Sequence, residues 1–314
     1  MKGRYGLKMN NKKLWIILFT LALVLAACGQ NQSSEKGHHS THSTEQETTD
    51  HNNNTHTYHR IVSLIPSNTE ILYRLGLGKN IIGVSTVDDY PKNVKKGKQQ
   101  FDAMNLNKEA LLKAKPDLIL AHESQKSSAK KTLDSLADSG VKVVYIKDAQ
   151  SLNQVYDSFE QVGKVTHREK EAKQLVKETK DNVQEVIESI PAHHKKQSVF
   201  IEVSSKPEIY TAGKETFFND MIEKLDTKNV FSNVSGWKAV DKESIIKKNP
   251  DILISTEGIS KKEYYEVIKE RDGFSEVNAV KNERVETVNG DEISRPGPRI
   301  DEGMKELRDA IYKR

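Results

Sequence analysis

The chain has 314 residues, a single cysteine, 35% hydrophobic and 30% charged residues and a formal net charge of +4. That length suits about two compact units, one cysteine excludes a disulfide framework or a Cys-rich zinc module, and no apolar run reaches the roughly 18 to 20 residues of a membrane span. Lys2, Arg4, Lys8, Lys12 and Lys13 all fall within residues 1–27, which carry no acid, so the remainder has a formal charge of −1 and lacks the basic footprint of a nucleic-acid binder.

Residues 1–13 are basic and residues 14–27 (LWIILFTLALVLAA) apolar, immediately before Cys28. A positive segment followed by a short apolar one reads as a secretory signal. Leu25-Ala26-Ala27-Cys28 resembles the bacterial lipobox, whose cysteine sulfur is lipidated, and several acyl chains anchor stably where one would be marginal. Residues 28–57 are almost devoid of apolar side chains and should form a disordered tether spanning roughly 30 Å. His38, His39, His42, His51, His56 and His59 lie in or beside it. They fit either metal capture or a polar tether with incidental metal affinity. A single acylated membrane, with the protein on its extracellular face, suits a tether of this length.

The body, from about residue 58, begins with a strand at Ile61–Ile65 and an apolar helix running to Leu77. Ser67 and Glu70 form Ser-x-x-Glu, which reads as a helix capping box. Further strands are predicted at Ile81–Val84 and Val141–Ile146, with another strand–helix unit from Ser198–Val203 through Tyr210-Thr211-Ala212-Gly213 to Phe217–Leu225. Asn107–Leu120 aligns without gaps to Asp241–Ile254, so that Glu109 matches Glu243 and Pro116-Asp117 matches Pro250-Asp251 at an offset of 134 residues. Each copy reads as a short helix, a stop at Pro-Asp and a buried strand. One such long-period repeat means two like α/β lobes rather than a solenoid. Between them, Arg168–Ile190 keeps apolar residues on one helical face (Ala172, Leu175, Val176, Thr179, Val183, Val186, Ile187, Ile190). A rod of roughly 33 Å there would hold the lobes at nearly fixed separation. The predicted organisation is a signal (1–27), tether (28–57), N-terminal lobe (58–166), connecting helix (167–191) and C-terminal lobe (192–314).

Several segments carry a family likeness. Arg60–Leu72, Gly83-Val84-Ser85-Thr86 with Asp89-Tyr90-Pro91, Met104-Asn105-Leu106 with Glu109, Lys115–Ile119 and Arg295-Pro296-Gly297-Pro298-Arg299-Ile300 together resemble the substrate-binding proteins of ABC importers that serve cobalamin, ferric siderophores and haem, with cobalamin-binding members most alike. The resemblance implies an α/β fold of two Rossmann-like lobes bridged by a long rigid helix (the class III periplasmic-binding-protein architecture). It also implies a ligand, a cobalt corrinoid or Fe(III)-siderophore, in the cleft between lobes. Its cleft contacts fall on Phe101, Tyr210, Trp237 and Arg299, with Tyr90 and Arg295 nearby. Wide aromatic faces suit a broad chelate. The arginines fit recognition of carboxylate, phosphate or chelate oxygen, and equally a structural pairing to Asp301 or Glu302. Glu109 and Glu243 match acidic residues that dock onto arginines of the permease, one from each lobe.

Enzyme chemistry finds no support: there is no Gly-x-Ser-x-Gly elbow and no His-Glu-x-x-His motif. Gly213-Lys214 is followed by Glu215 where a phosphate-binding loop has Ser or Thr. The expectation is therefore a monomeric, lipid-anchored, non-enzymatic solute receptor without a resident cofactor or metal, delivering a bulky metal chelate to permease subunits. The alternatives are a zinc or manganese receptor using the His-rich tether, or a surface lipoprotein without a transport role.

Overall fold

The computed structural model describes residues 57–313. The predicted signal, Cys28 and the tether up to residue 56, with five of its histidines, lie outside the described residues.

The first lobe runs β1 (Ile61–Ser63), α1 (Pro66–Arg74), β2 (Ile81–Ser85), β3 (Gln99–Phe101), α2 (Lys108–Ala114), β4 (Leu118–His122), α3 (Lys130–Asp138) and β5 (Lys142–Ile146). Its sheet has the order β3-β2-β1-β4-β5 with every pairing parallel. Two helices follow, α4 (Leu152–Thr166) and α5 (Glu169–Glu188). The second lobe runs β6 (Ser198–Glu202), β7 (Ile209–Ala212), α6 (Phe217–Lys224), β8 (Lys228–Asn229), β9 (Trp237–Val240), α7 (Lys242–Lys248), β10 (Ile252–Ser255), α8 (Lys261–Lys269), α9 (Asn278–Lys281), β11 (Val285–Thr287), α10 (Gly290–Ser294) and α11 (Ile300–Tyr312). Its main sheet, β11-β10-β6-β8, is again parallel, while β7 and β9 form a separate antiparallel pair. Central strands such as β4 and β10 are buried along their whole length, as continuous aliphatic runs in parallel sheets require.

The sequence repeat is a structural repeat. Asn107 caps α2 through Ala110 N and Asp241 caps α7 through Ser244 N. Both helices end on a left-handed residue, Lys115 (φ 50°) and Asn249 (φ 44°), and proline prevents continuation. The aspartate that follows has a specific task. Asp117 accepts the backbone N–H groups of His59 and Arg60 at 2.7 and 3.0 Å, and Asp251 accepts Ser198 N and Oγ at 2.9 and 2.8 Å. In each lobe it ties the first strand to the strand beside it.

Helix α5 buries Ala172, Leu175, Val176, Thr179, Val183 and Val186, the stripe read from the sequence. Its 20 residues span roughly 30 Å. It lies against α4, where Gly163 approaches Ala172 so closely that an added Cβ would sit 2.4 Å from the alanine Cβ. Arg74 of α1 reaches Glu178 at 2.9 Å, whereas Asn182 holds Asp301 of α11 at 2.6 Å and Ser189 holds Arg308 at 2.9 Å. The helix is thus fastened to both lobes. Helix α4 adds a further tie, Leu152 N donating to Asp220 of α6 at 2.8 Å. The bridge is broader than a lone strut: the apolar core continues from Ile61 and Leu118 through Phe159 and Leu175 to Ile201 and Ile254. The sheets are distinct, yet the layer of helices beside them is shared.

Candidate functional site

In open parallel sheets, ligands bind beyond the carboxyl ends of the strands, where backbone groups and loops converge. Three segments of this chain leave such ends with exposed aromatic or charged side chains: Thr86–Pro91 after β2, the β7–β9 strand pair after β6, and Arg295–Arg299 between α10 and α11, downstream of β11.

Trp237 begins β9. Tyr210 pairs with Ala239 and Ala212 with Trp237, so by strand alternation these four residues share one face of the strand pair. Tyr210 and Trp237 are 38% and 40% exposed. The indole stands edge-on to the rings of Phe217 and Phe218, with centroids 5.9 and 5.3 Å away, which fixes one side and leaves the rest open. At Gly213, just after β7, two backbone segments meet: a Cβ there would lie 2.2 Å from the Val234 carbonyl oxygen. Backbone crossing, not phosphate binding, explains this glycine.

In the first lobe, Tyr90 is 44% exposed and its ring carries the guanidinium of Arg299, with Cζ 4.1 Å from the centroid. Arg299 donates from Nε and Nη2 to the two oxygens of Glu70 at 2.9 and 2.8 Å, and from Nη1 to Glu292 at 3.4 Å. Arg295 pairs with Asp89 in two-pronged fashion, reaches Asp291 at 2.7 Å and touches Glu70 at 3.5 Å. Both arginines are therefore structurally paired, but to Glu70, Asp89, Asp291 and Glu292 rather than to Asp301 or Glu302. Burial opposes the charge on Arg299, yet the Glu70 carboxylate outweighs it and holds the group well above its ordinary pKa. The hydrogen bond from Arg295 draws Asp89 below the usual carboxylate range.

Two further readings are corrected. Phe101, placed among the cleft contacts by resemblance, is 4% exposed and belongs to the core with Val62, Leu64 and Leu111. Its ring lies on Gly83, where an added Cβ would sit 2.4 Å from Cε2; it supports the wall without forming its surface. Ser67 and Glu70 do not form a capping box. Pro66 opens α1, so the cap position is Ile65, which makes no side-chain cap, and Glu70 is left to turn towards Arg299. Proline at the first helical position was the available signal. Asp89 and Asp291 carried no comparable mark.

Asp88 is buried, and its Oδ2 accepts Ser85 N and Oγ at 2.8 and 2.6 Å; burial pushes its carboxyl upward. These bonds set the turn that presents Asp89 and Tyr90. Glu109 and Glu243 are both exposed, each at the second position of its helix, and neither makes an ion pair among the described residues. Elsewhere a cavity of about 1130 Å³ lies beside β11 and α11, lined by Lys195, Lys261, Arg284, Glu286, Glu306 and others. None of Tyr90, Tyr210, Trp237, Arg295 or Arg299 lines it. Its mixed charges and lack of aromatic rings suit water and ions better than a broad apolar ligand. Among the described residues no group of three or more His, Cys, Asp or Glu side chains could hold a metal ion, and no helix is long and apolar enough to cross a membrane.

A family model described as periplasmic binding protein matches residues 61–291. An uncharacterized ABC transporter substrate-binding lipoprotein of Bacillus subtilis, YvrC, is 42% identical over 320 residues, 99% of this chain and 98% of the relative. A vitamin B12-binding protein of Pectobacterium atrosepticum is 29% identical over 246 residues, covering 77% and 84% of the two chains. Among solved structures, a possible iron-binding (periplasmic solute-binding) protein from Staphylococcus epidermidis is 73% identical and matches with a TM-score of 0.77 over 82% of this chain and 100% of that one.

Proposed function

Because the chain belongs to the periplasmic binding protein family, we propose that it is the substrate-binding component of an ABC importer, and that it takes a bulky metal chelate, a cobalt corrinoid or ferric siderophore, between its lobes. The observation that carries this reading is the set of exposed aromatic faces, Tyr90 from one lobe and Tyr210 with Trp237 from the other, all on segments leaving the carboxyl ends of parallel strands. A planar chelate offers rings and metal-bound atoms to such faces, and rigid aromatic side chains bury much area for little lost rotamer freedom. The names of the B12-binding relative and of the iron-binding structure support that ligand class. The name of YvrC supports lipidation of Cys28 and anchoring at the extracellular face. The receptor acts as a monomer and needs no reaction of its own.

In this reading Glu109 and Glu243 dock onto the permease. Each is exposed and unpaired among the described residues, and the repeat gives one to each lobe, so a pair of basic residues on the permease can engage both at once. Contact on both lobes gives the permease leverage to widen the cleft and release the ligand. Exposed ion pairs contribute about 0 to 1 kcal/mol each, so Glu109→Ala with Glu243→Ala should slow cellular uptake by up to about thirtyfold. The Kd for the chelate, measured by calorimetry, should stay within about twofold. Unchanged uptake would remove the docking assignment. Titration of the purified protein with cyanocobalamin, haemin and a ferric siderophore tests the ligand class; heat from none of them would dismiss it.

A further inference from the structure

The charge balance around the two arginines narrows the ligand further, an inference that rests on the chelate-binding reading above. We infer that the site takes a neutral or cationic chelate and turns anionic ones away, because Arg295 and Arg299 are neutralised from within by carboxylates that outnumber them.

In a sequence, two arginines in a cleft turn suggest an anion site. Structural pairing was the equal alternative, and the geometry takes that side. All three nitrogens of the Arg299 guanidinium donate to carboxylates, and its face is covered by Tyr90. Both terminal nitrogens of Arg295 donate to carboxylates, those of Asp89 and Asp291 foremost. Four carboxylates, Glu70, Asp89, Asp291 and Glu292, surround two guanidiniums, a formal excess of two negative charges. Glu70 is buried, whereas Asp89 and Asp291 are each 51% exposed, so the excess faces solvent at the rim beside Tyr90. Burial, then Glu306 and Glu302, raises the carboxyl pKa of Glu292, and burial, then contact with Asp89, raises that of Asp291 against the pull of Arg295. On β9, Lys238 is paired with Thr211 and so stands on the strand face opposite Trp237 and Tyr210. It offers no counter-charge on the aromatic side.

A chelate bearing carboxylates, such as haem or a citrate-type siderophore, would bring like charges within a Debye length of about 8 Å of this rim, and like-charge juxtaposition selects against a partner. A corrinoid with amide side chains meets no such penalty. A hydroxamate chelate with a free ammonium group gains from the same field.

The test is calorimetric titration of the purified protein, at low and high salt, with cyanocobalamin (neutral), ferrioxamine B (cationic), and ferric citrate and haemin (anionic). Wild type should bind the neutral or the cationic probe at least about tenfold more tightly than either anionic one. Asp89→Asn with Asp291→Asn, two half-exposed positions, should shift the ratio towards the anionic probes by about fivefold at low salt and less at high salt. An anionic probe bound as tightly as the others, or an unshifted ratio in the double variant, overturns this inference alone. If no probe of any charge binds, the chelate-binding reading beneath it fails as well.

Discussion

Trp237→Ala should weaken chelate binding by roughly 30- to 150-fold, the largest loss expected from any single side chain of the site. Phe217 and Phe218 hold the indole edge-on, so its orientation is set before a ligand arrives and little is lost in ordering it. The ring remains 40% exposed, which for a large aromatic leaves about 100 Å² still to be covered. At roughly 25 cal/mol per Å² that is about 2 to 3 kcal/mol, the range of an interfacial aromatic anchor. Trp237→Phe keeps a ring against the same neighbours and should cost less than about tenfold. Calorimetric Kd values for the two variants check the assignment; an unchanged Kd in the alanine variant removes Trp237 from the site.

The largest stability loss is expected at a different place. Glu202, at the end of β6, is fully buried, and Arg271, 8% exposed, meets it through two hydrogen bonds of 2.6 Å. Tyr264 donates to the same carboxylate at 3.1 Å. Arg271→Ala leaves a buried carboxylate with that single donor, at a cost of about 3 to 5 kcal/mol. For a body of this size the melting temperature should fall by about 10 °C. Replacing the whole cluster, Arg271→Met with Glu202→Leu and Tyr264→Phe, removes the orphaned charge without stranding the Tyr264 hydroxyl and should recover most of the loss, since a buried pair adds little net stability over a packed apolar one. A small shift for Arg271→Ala alone would show that the pair is not desolvated. The consequence reaches the site: Thr256 N donates to the Glu202 carbonyl, and Ser205 is held by Glu257 at 2.9 and 3.0 Å, so this cluster braces the root of β7, which carries Tyr210 and pairs with the strand of Trp237.

Much of the fold was legible because its signals are local. The short helix, its stop at Pro-Asp and the buried strand that follows lie within one short segment, Asn107–Leu120 or Asp241–Ile254, and the repeat doubled the signal. The apolar stripe of α5 was visible for the same reason. The site was less so, because its decisive pairings are distant: Glu70 meets Arg295 and Arg299 across 225 and 229 residues. No local pattern ranks that partner above Asp301 or Glu302, which are closer in sequence to the arginines. Phe101 was misplaced because its burial depends on Gly83, a neighbour brought alongside by the parallel pairing of β2 and β3. Trp237 could be placed near the ligand but not on a strand, since the pairing of β9 with β7 bridges two dozen residues and a helix. The shared apolar core escaped notice too, because helix spacing shows which face of α4 or α5 is buried and not what both lobes contribute to it.

Hydrogen–deuterium exchange of the purified protein, with and without a saturating amount of its tightest chelate, tests the central claim most directly. Amide exchange should slow in Thr86–Tyr90, in both strands of the β7–β9 pair and around Arg295–Ile300, and remain unchanged along β11. Protection confined to β11 and the end of α11 would put the ligand in the large cavity there, and contradict a site between the lobes.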